Sequence, residues 1–88
     1  MTHKEEFGTD GLINFGQAML MLLKGHTISR FTLNYPFYFK IDSFVEADKV
    51  FQIPMTFHKH KELKAPAVFA DSDITAKDWI IYSPNQKL

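Results

Sequence analysis

The sequence predicts an α+β fold in which one main helix packs on a small antiparallel sheet and copies of the chain associate. Residues 15–24 repeat apolar side chains with helical spacing, whereas later segments alternate or are rich in β-branched and aromatic residues. The 88 residues allow one domain. Cysteine is absent, which excludes disulfides and thiolate metal sites, so self-association is the remaining way to stabilise so small a core.

The main helix is predicted to follow Asn14, whose side chain can accept from amides of the first turn. Gln17 stands three residues later, as a capping box requires. Gly25 supplies the left-handed residue that ends the helix. The apolar residues that share one helical face are Phe15, Ala18, Met19 and Leu22.

This helix is also apolar on its other faces, where Leu20, Met21 and Leu23 stand in place of charged residues. A helix that is apolar all round is buried all round, but one small core covers only one side. We therefore expect a second subunit to cover the helix. The alternative is a long C-terminal loop that folds over it.

The rest of the chain predicts short strands joined by polar turns. Pro54 is expected to place the later part of its strand at a sheet edge or bulge. Residues 42–48 are predicted to be a loop or a short helical turn, and residues 58–64 a charged loop. Residues 71–77 resemble one helical turn capped by Asp71 or Ser72. The predicted strands are 26–31, 37–41, 49–57, 65–70 and 79–82.

Residues 1–12 are predicted to be a flexible N-terminal arm, since their glycine and polar residues have little to bury, and residues 13–88 form the single domain. The first residues are polar and acidic, with no apolar segment behind a positive head. The longest apolar run, 18–23, is far short of the roughly 20 residues that span a bilayer. We therefore expect a cytoplasmic protein that does not bind a membrane.

The chemical motifs of most function classes are missing. His58 and His60 could supply half of a metal site, but no third ligand is apparent, so we expect a solvated loop and neither metal nor cofactor. Lys59, Lys61 and Lys64 are interrupted by an acidic residue, with no interleaved aromatic platform, and the net charge is zero, so nucleic acid is not expected. No Gly-rich phosphate loop, Gly-x-Ser-x-Gly or His-Glu-x-x-His occurs. We expect no catalysis.

A polar and aromatic cluster near one strand end is the candidate binding site. Arg30, Asn34 and Tyr35 offer a charged fork, an amide and a flat ring. Such a set suits a ligand with phosphates and a base, because Arg takes the anion, Asn contacts polar edges and Tyr stacks. Core packing and turn formation explain the same residues equally well.

Two motifs resemble a family of small phage proteins. The first is Asn14-Phe15-Gly16-Gln17-Ala18 with the helix, Gly25, Arg30 and Asn34 after it, and the second is Asp73-Ile74-Thr75-Ala76-Lys77-Asp78-Trp79, which is similar to an Asp-x-x-Ala-x-Asp-Trp ending. Characterised members of this family are Thoeris anti-defence proteins of the second type. They are homotetrameric sponges that hold cyclic ADP-ribose signals, and in some cases cyclic dinucleotides, between subunits.

The resemblance implies a non-catalytic nucleotide-binding protein that acts in an infected bacterial host. Its implied ligand is a cyclic ADP-ribose isomer or a cyclic dinucleotide, and its implied assembly is a tetramer. A small structural or protein-binding oligomer of a phage, without a nucleotide, is the alternative. Leu33 stands where the family carries Trp in a Gly-Trp-Asn-Gly stretch, so Tyr35 is the candidate substitute ring.

We place the expected pocket where Arg30, Asn34 and Tyr35 approach the turn of residues 73–79, in the same or a neighbouring subunit. Arg30 is predicted to bind phosphate, because its charge persists at any working pH. Asn34 and Asp73 are predicted to contact ribose hydroxyls or base edges. The full candidate set is Arg30, Asn34, Tyr35, Asp73, Asp78 and Trp79.

Overall fold

A computed structural model describes residues 11–83, and the predicted arm of residues 1–12 lies almost wholly outside that range. The predicted α+β class, with a short helix and a small antiparallel sheet, is confirmed. A second, four-residue helix accompanies the main one. The elements are α1 (Phe15–Leu23), β1 (Ile28–Arg30), β2 (Phe37–Glu46), β3 (Lys49–His58), β4 (Lys64–Pro66), α2 (Asp71–Ile74) and β5 (Trp79–Ile81).

The predicted boundaries of α1 are confirmed by its caps. The Asn14 side chain accepts from the Gln17 amide at 2.8 Å, and the Gln17 side chain accepts from the Asn14 amide at 2.9 Å. Gly25 follows the last turn with a φ of 100°, a conformation that a residue with a Cβ rarely adopts.

The five strands form one antiparallel sheet in the order β4-β3-β2-β1-β5. Helix α1 covers one face, and the segment between β4 and α2 adds Phe69, whose ring centre lies 4.8 Å from that of Phe39. This arrangement closes the core around the only tryptophan of the chain. The buried residues of the core are Ile13, Ala18, Leu22, Ile28, Phe39 and Trp79.

The loop or helical turn predicted for residues 42–48 is wrong, because β2 continues to Glu46. It pairs with β3 along its whole length, up to the pair Glu46 and Lys49. The turn consists of Ala47 and Asp48, with φ values of 53° and 63°, which is the two-residue hairpin turn with both centres left-handed. Asp42 and Ser43 are partly buried and Glu46 is exposed, and their cross-strand pairs with β3 hold these polar residues in strand conformation.

The position predicted for Pro54 is also wrong. The later part of β3, Met55 to Phe57, lies inside the sheet between β2 and β4. The Pro54 carbonyl accepts from the Ala67 amide at 3.0 Å, just beyond the end of β4. The missing N–H of Pro54 therefore falls where the pairing of β3 with β4 ends. The earlier part of β3, which has no β4 partner, forms the sheet edge.

Helix α2 ends sooner than predicted and has a different cap. It spans Asp71–Ile74, and its N-cap residue is Ala70, so neither Asp71 nor Ser72 caps it. The carboxylate of Asp73, in the first turn, instead accepts from the Ala70 amide at 3.1 Å. The helix therefore holds the Asp73 side chain in a fixed position near the sheet.

The apolar residues on the other faces of α1 differ in how exposed they are. Met21 packs against the core, whereas the side chains of Leu20 and Leu23 are 58% and 72% exposed. Neither helix within residues 11–83 is long and apolar enough to cross a membrane.

Candidate functional site

Arg30, at the end of β1, forms ion pairs with two carboxylates. Its Nε donates to Asp78 Oδ1 at 2.9 Å, and its Nη2 donates to Asp78 Oδ2 at 3.3 Å. Its Nη1 donates to Asp73 Oδ1 at 3.0 Å. All three side chains are less than a third exposed. Two negative charges thus surround one positive charge, and the trio carries a formal charge of −1.

Asp73 connects this ion pair to the rest of the site. Its Oδ1 accepts from Tyr35 Oη at 3.2 Å as well as from Arg30, and its main-chain carbonyl accepts from Trp79 Nε1 at 2.9 Å. With the bond from Ala70, every polar part of the residue is in use. Burial of such a carboxylate is tolerated because its acceptors are satisfied.

The Tyr35 phenol is held in its protonated form. Burial raises its pKa above the ordinary 10.0, and the charge of Asp73 and the hydrogen bond to it act in the same direction. The charge of Arg30 opposes them, and Arg30 Cζ lies 5.3 Å from the ring centre. Tyr35 therefore acts as a donor to Asp73 and leaves its oxygen lone pairs for a second partner.

A cavity of about 640 Å³ opens beside this cluster, which is within the usual range for small-molecule sites. Arg30, Tyr35 and Asp73 form its polar end, and Thr56 and Ser72 also line it. The remaining wall is mostly apolar. Those wall residues are Phe37, Phe39, Ala65, Pro66, Val68 and Ala70.

Lys59 directly follows β3 and is not among the residues that line the cavity. Its amide donates to the Pro36 carbonyl at 2.7 Å, and its Nζ lies 4.8 Å from the Tyr82 ring centre and 5.9 Å from that of Tyr35. Burial lowers the pKa of this ammonium group. No ion pair joins it to a carboxylate within residues 11–83.

The structure brings four of the predicted site residues together within one chain: Arg30, Tyr35, Asp73 and Asp78. Asn34 lies apart in an exposed turn with a φ of 61°, where the Tyr35 amide donates to Thr32. Trp79 has no exposed surface and belongs to the core. Its indole reaches the site only through the carbonyl of Asp73.

The wall of the cavity and the aromatic neighbours of Lys59 were not predicted from the sequence. The wall is assembled from β2, β3 and the segment after β4, so no local pattern marks it. Lys59 was assigned to a solvated basic cluster, and only the fold places its ammonium group near two tyrosine rings.

The His58 and His60 pair forms a local turn. The Nδ1 of His58 accepts from the His60 amide at 2.9 Å, which leaves that nitrogen unprotonated. In the part of the chain that the structure describes, no three His, Cys, Asp or Glu residues are placed to hold a metal ion.

No protein-family model matches the chain, and comparison with curated proteins found no match. The resemblance to the phage sponge family consequently rests on its two motifs and stays a prediction.

Proposed function

We propose that this protein binds a small nucleotide in the cavity beside Arg30, Tyr35 and Asp73 and sequesters it without converting it. The observation that carries the proposal is the combination, in one cavity, of an apolar wall and a polar end. The wall suits the faces of a base, and the hydroxyls of Thr56, Ser72 and Tyr35 suit ribose hydroxyls.

The motif resemblance supports a narrower ligand class. It favours a cyclic ADP-ribose isomer or a cyclic dinucleotide, held by an oligomer in an infected bacterial cell. Removal of such a signal would inhibit an anti-phage defence. Sequestration needs affinity and no turnover, so it is compatible with polar groups that serve to position a ligand.

Arg30 has a different part in this proposal from the one predicted from sequence. A phosphate that approached its guanidinium would compete with a two-point bond to Asp78 and meet a trio of net negative charge. Arg30 is therefore assigned to fixing Asp73 and Tyr35 in place, so that their geometry exists before the ligand arrives.

Ligand retention tests the proposal. The protein is incubated with cyclic ADP-ribose isomers and cyclic dinucleotides, washed by ultrafiltration and denatured, and the released compound is identified by mass spectrometry. Intact nucleotide in stoichiometric amount is expected. A converted product would mean an enzyme, and no retention of any compound would contradict the proposal.

A matched pair of variants ties retention to the cavity. Val68→Glu adds bulk and negative charge to the wall, and Val50→Glu makes the same change on the hairpin. Both side chains are mostly exposed, at 82% and 64%, so both variants should fold. We expect Val68→Glu to weaken binding roughly tenfold or more and Val50→Glu to have no effect.

Exposed apolar residues favour a second candidate function, that of a protein-binding or structural oligomer without a nucleotide. Leu33 is 87% exposed, and Phe31, Leu20 and Leu23 are also exposed. Failure of all nucleotides in the retention test, together with oligomer formation, would favour this candidate.

A further inference from the structure

The residues that line the cavity carry few charges. In the described part of the chain, the lining includes one cation, Arg30, and one anion, Asp73. Asp78 does not line the cavity, but its Oδ1 accepts from Arg30 Nε at 2.9 Å. Lys59 contacts the Tyr35 ring and is not among the lining residues. The charge at the polar end therefore comes from Arg30 and its two carboxylates.

This charge is negative on balance, because Asp73 and Asp78 together outnumber Arg30. The side chains of the three residues are only 12%, 28% and 16% exposed, so water screens their charges incompletely. An anion that approached Arg30 more closely would compete with Asp78, which binds both Nε and Nη2. A phosphate at this end of the cavity therefore meets net repulsion, whereas an uncharged group does not.

The rest of the lining suits an uncharged ligand group. Phe37 and Phe39 belong to the mostly apolar wall, which can contact the faces of a base. Thr56 and Ser72 also line the cavity, and a hydroxyl can both donate and accept without carrying charge. A nucleoside combines a flat base with an uncharged ribose, so its two parts match these two kinds of lining residue.

We propose that the cavity selects its ligand by charge: it takes the uncharged nucleoside part of a nucleotide and keeps phosphate groups outside. Asp78 determines this selectivity, because its charge makes the cluster with Arg30 and Asp73 negative. This assignment rests on the proposed function, since it names the part of the ligand that the same site holds. A cyclic nucleotide would then bind through one base and its ribose, with its phosphates outside the cavity.

The test compares adenosine and guanosine with their 5′-monophosphates. The full chain is titrated at about pH 8, where a phosphate monoester carries about two negative charges, and amide shifts are followed in 1H–15N NMR spectra. Saturable shifts at Tyr35, Thr56 and Ser72 are expected for at least one nucleoside. Its monophosphate should bind about tenfold more weakly. Absence of binding by both nucleosides, or a monophosphate that binds as tightly as its nucleoside, would overturn the assignment.

The dependence on salt distinguishes repulsion from attraction in the wild type alone. Salt screens the repulsion, so an increase from about 0.05 M to about 0.5 M sodium chloride should tighten monophosphate binding by about threefold and change nucleoside binding little. A phosphate held by Arg30 would give the opposite result, because salt weakens an attraction between unlike charges. Monophosphate binding that weakens as salt rises therefore contradicts the assignment.

A matched pair of variants tests the part played by Asp78. Asp78→Asn removes one negative charge and keeps an oxygen that can accept from Arg30. The ratio of nucleoside affinity to monophosphate affinity should fall by about threefold or more. Asp48→Asn makes the same change in the β2–β3 turn, at a φ of 63° that Asn tolerates, and should leave this ratio unchanged. Spectra without ligand show whether each variant is folded, and an unchanged ratio in folded Asp78→Asn would refute its role.

The outcomes separate this assignment from the proposed function. If a nucleoside binds more tightly than its monophosphate but no cyclic nucleotide is retained, the charge selectivity stands and the sponge function fails. If a cyclic nucleotide is retained but monophosphates bind more tightly than nucleosides, the sponge function stands and the charge selectivity fails.

Discussion

Asp78 contacts Arg30 through both of its carboxylate oxygens, at 2.9 and 3.3 Å from Nε and Nη2. This two-point contact joins the end of β1 to the residue before β5, next to the main-chain bond from the Phe31 amide to the Asp78 carbonyl at 2.9 Å. Since Asp73 binds the third guanidinium nitrogen, one arginine orders both ends of the α2 to β5 connection.

Replacement of Arg30 by Ala should destabilise the fold. Two carboxylates that are mostly buried would lose their shared partner, so the free energy of unfolding should fall by about 3 kcal/mol. Lys at this position keeps the charge but loses the planar fork, and Arg30→Lys should recover only part of the loss. Urea unfolding followed by circular dichroism measures both. Wild-type stability in Arg30→Ala would show that the ion pairs contribute nothing.

Alkaline pH should weaken the wild type through Tyr35. The folded state raises the pKa of this phenol, so its stabilisation is complete below the ordinary 10.0 and decreases as pH rises above that value. Between pH 10 and pH 11 the wild type should lose about 1 kcal/mol more unfolding free energy than Tyr35→Phe, which cannot ionise. Parallel urea titrations at the two pH values provide the comparison, and equal losses would contradict the prediction.

Two substitutions in the turn between β2 and β3 should stabilise the protein. Ala47 and Asp48 both have left-handed φ values, which a residue with a Cβ adopts at a cost. The double change Ala47→Asn and Asp48→Gly introduces the pair preferred in this turn and should raise the unfolding free energy by about 1 kcal/mol. Thermal unfolding is the measurement. A lower midpoint would mean that the two side chains have contacts that outweigh the strain.

The exposed side of α1 is predicted to form a subunit interface. Sedimentation velocity at tens of micromolar should report an oligomer, expected to be a tetramer, and the pair Leu20→Glu and Leu23→Glu should dissociate it. Val45→Glu is the control, because Val45 is similarly exposed, at 64%, but lies on the β2–β3 hairpin. A wild type that is strictly monomeric would remove the prediction.

Local signals in the sequence were enough for α1 and for the existence of most strands. The Asn14 and Gln17 cap acts within one turn of helix, so its effect is readable from neighbouring residues. The second half of β2 was missed because its strand conformation depends on cross-strand pairs such as Phe44 and Phe51, and the turn residues Ala47 and Asp48 lack the Asn-Gly or Asp-Gly signal of a two-residue hairpin. A polar stretch between apolar ones looks like a loop when its partner strand is unknown.

The convergence of Arg30 and Tyr35 on residues 73–78 could be inferred from sequence, but their bonding could not. Asp73 and Asp78 are two acceptors that could equally have faced a ligand or the arginine. The fold decides between these two possibilities, because it places both carboxylates within hydrogen-bonding distance of the Arg30 guanidinium group. The contacts of Lys59 with Tyr35 and Tyr82 could not be predicted from sequence either, because the two tyrosines lie outside the strands, in segments that are distant from Lys59 along the chain.

The indole of Trp79 allows changes in the fold to be followed by fluorescence. It is the only tryptophan in the chain, it has no contact with water, and its N–H is bonded to the main chain of Asp73. Fluorescence excited at 295 nm therefore comes from one fluorophore in a dry environment, one residue away from Asp78. Its emission should shift to the red when α2 detaches from the sheet, which gives the protein a built-in optical reporter of that connection.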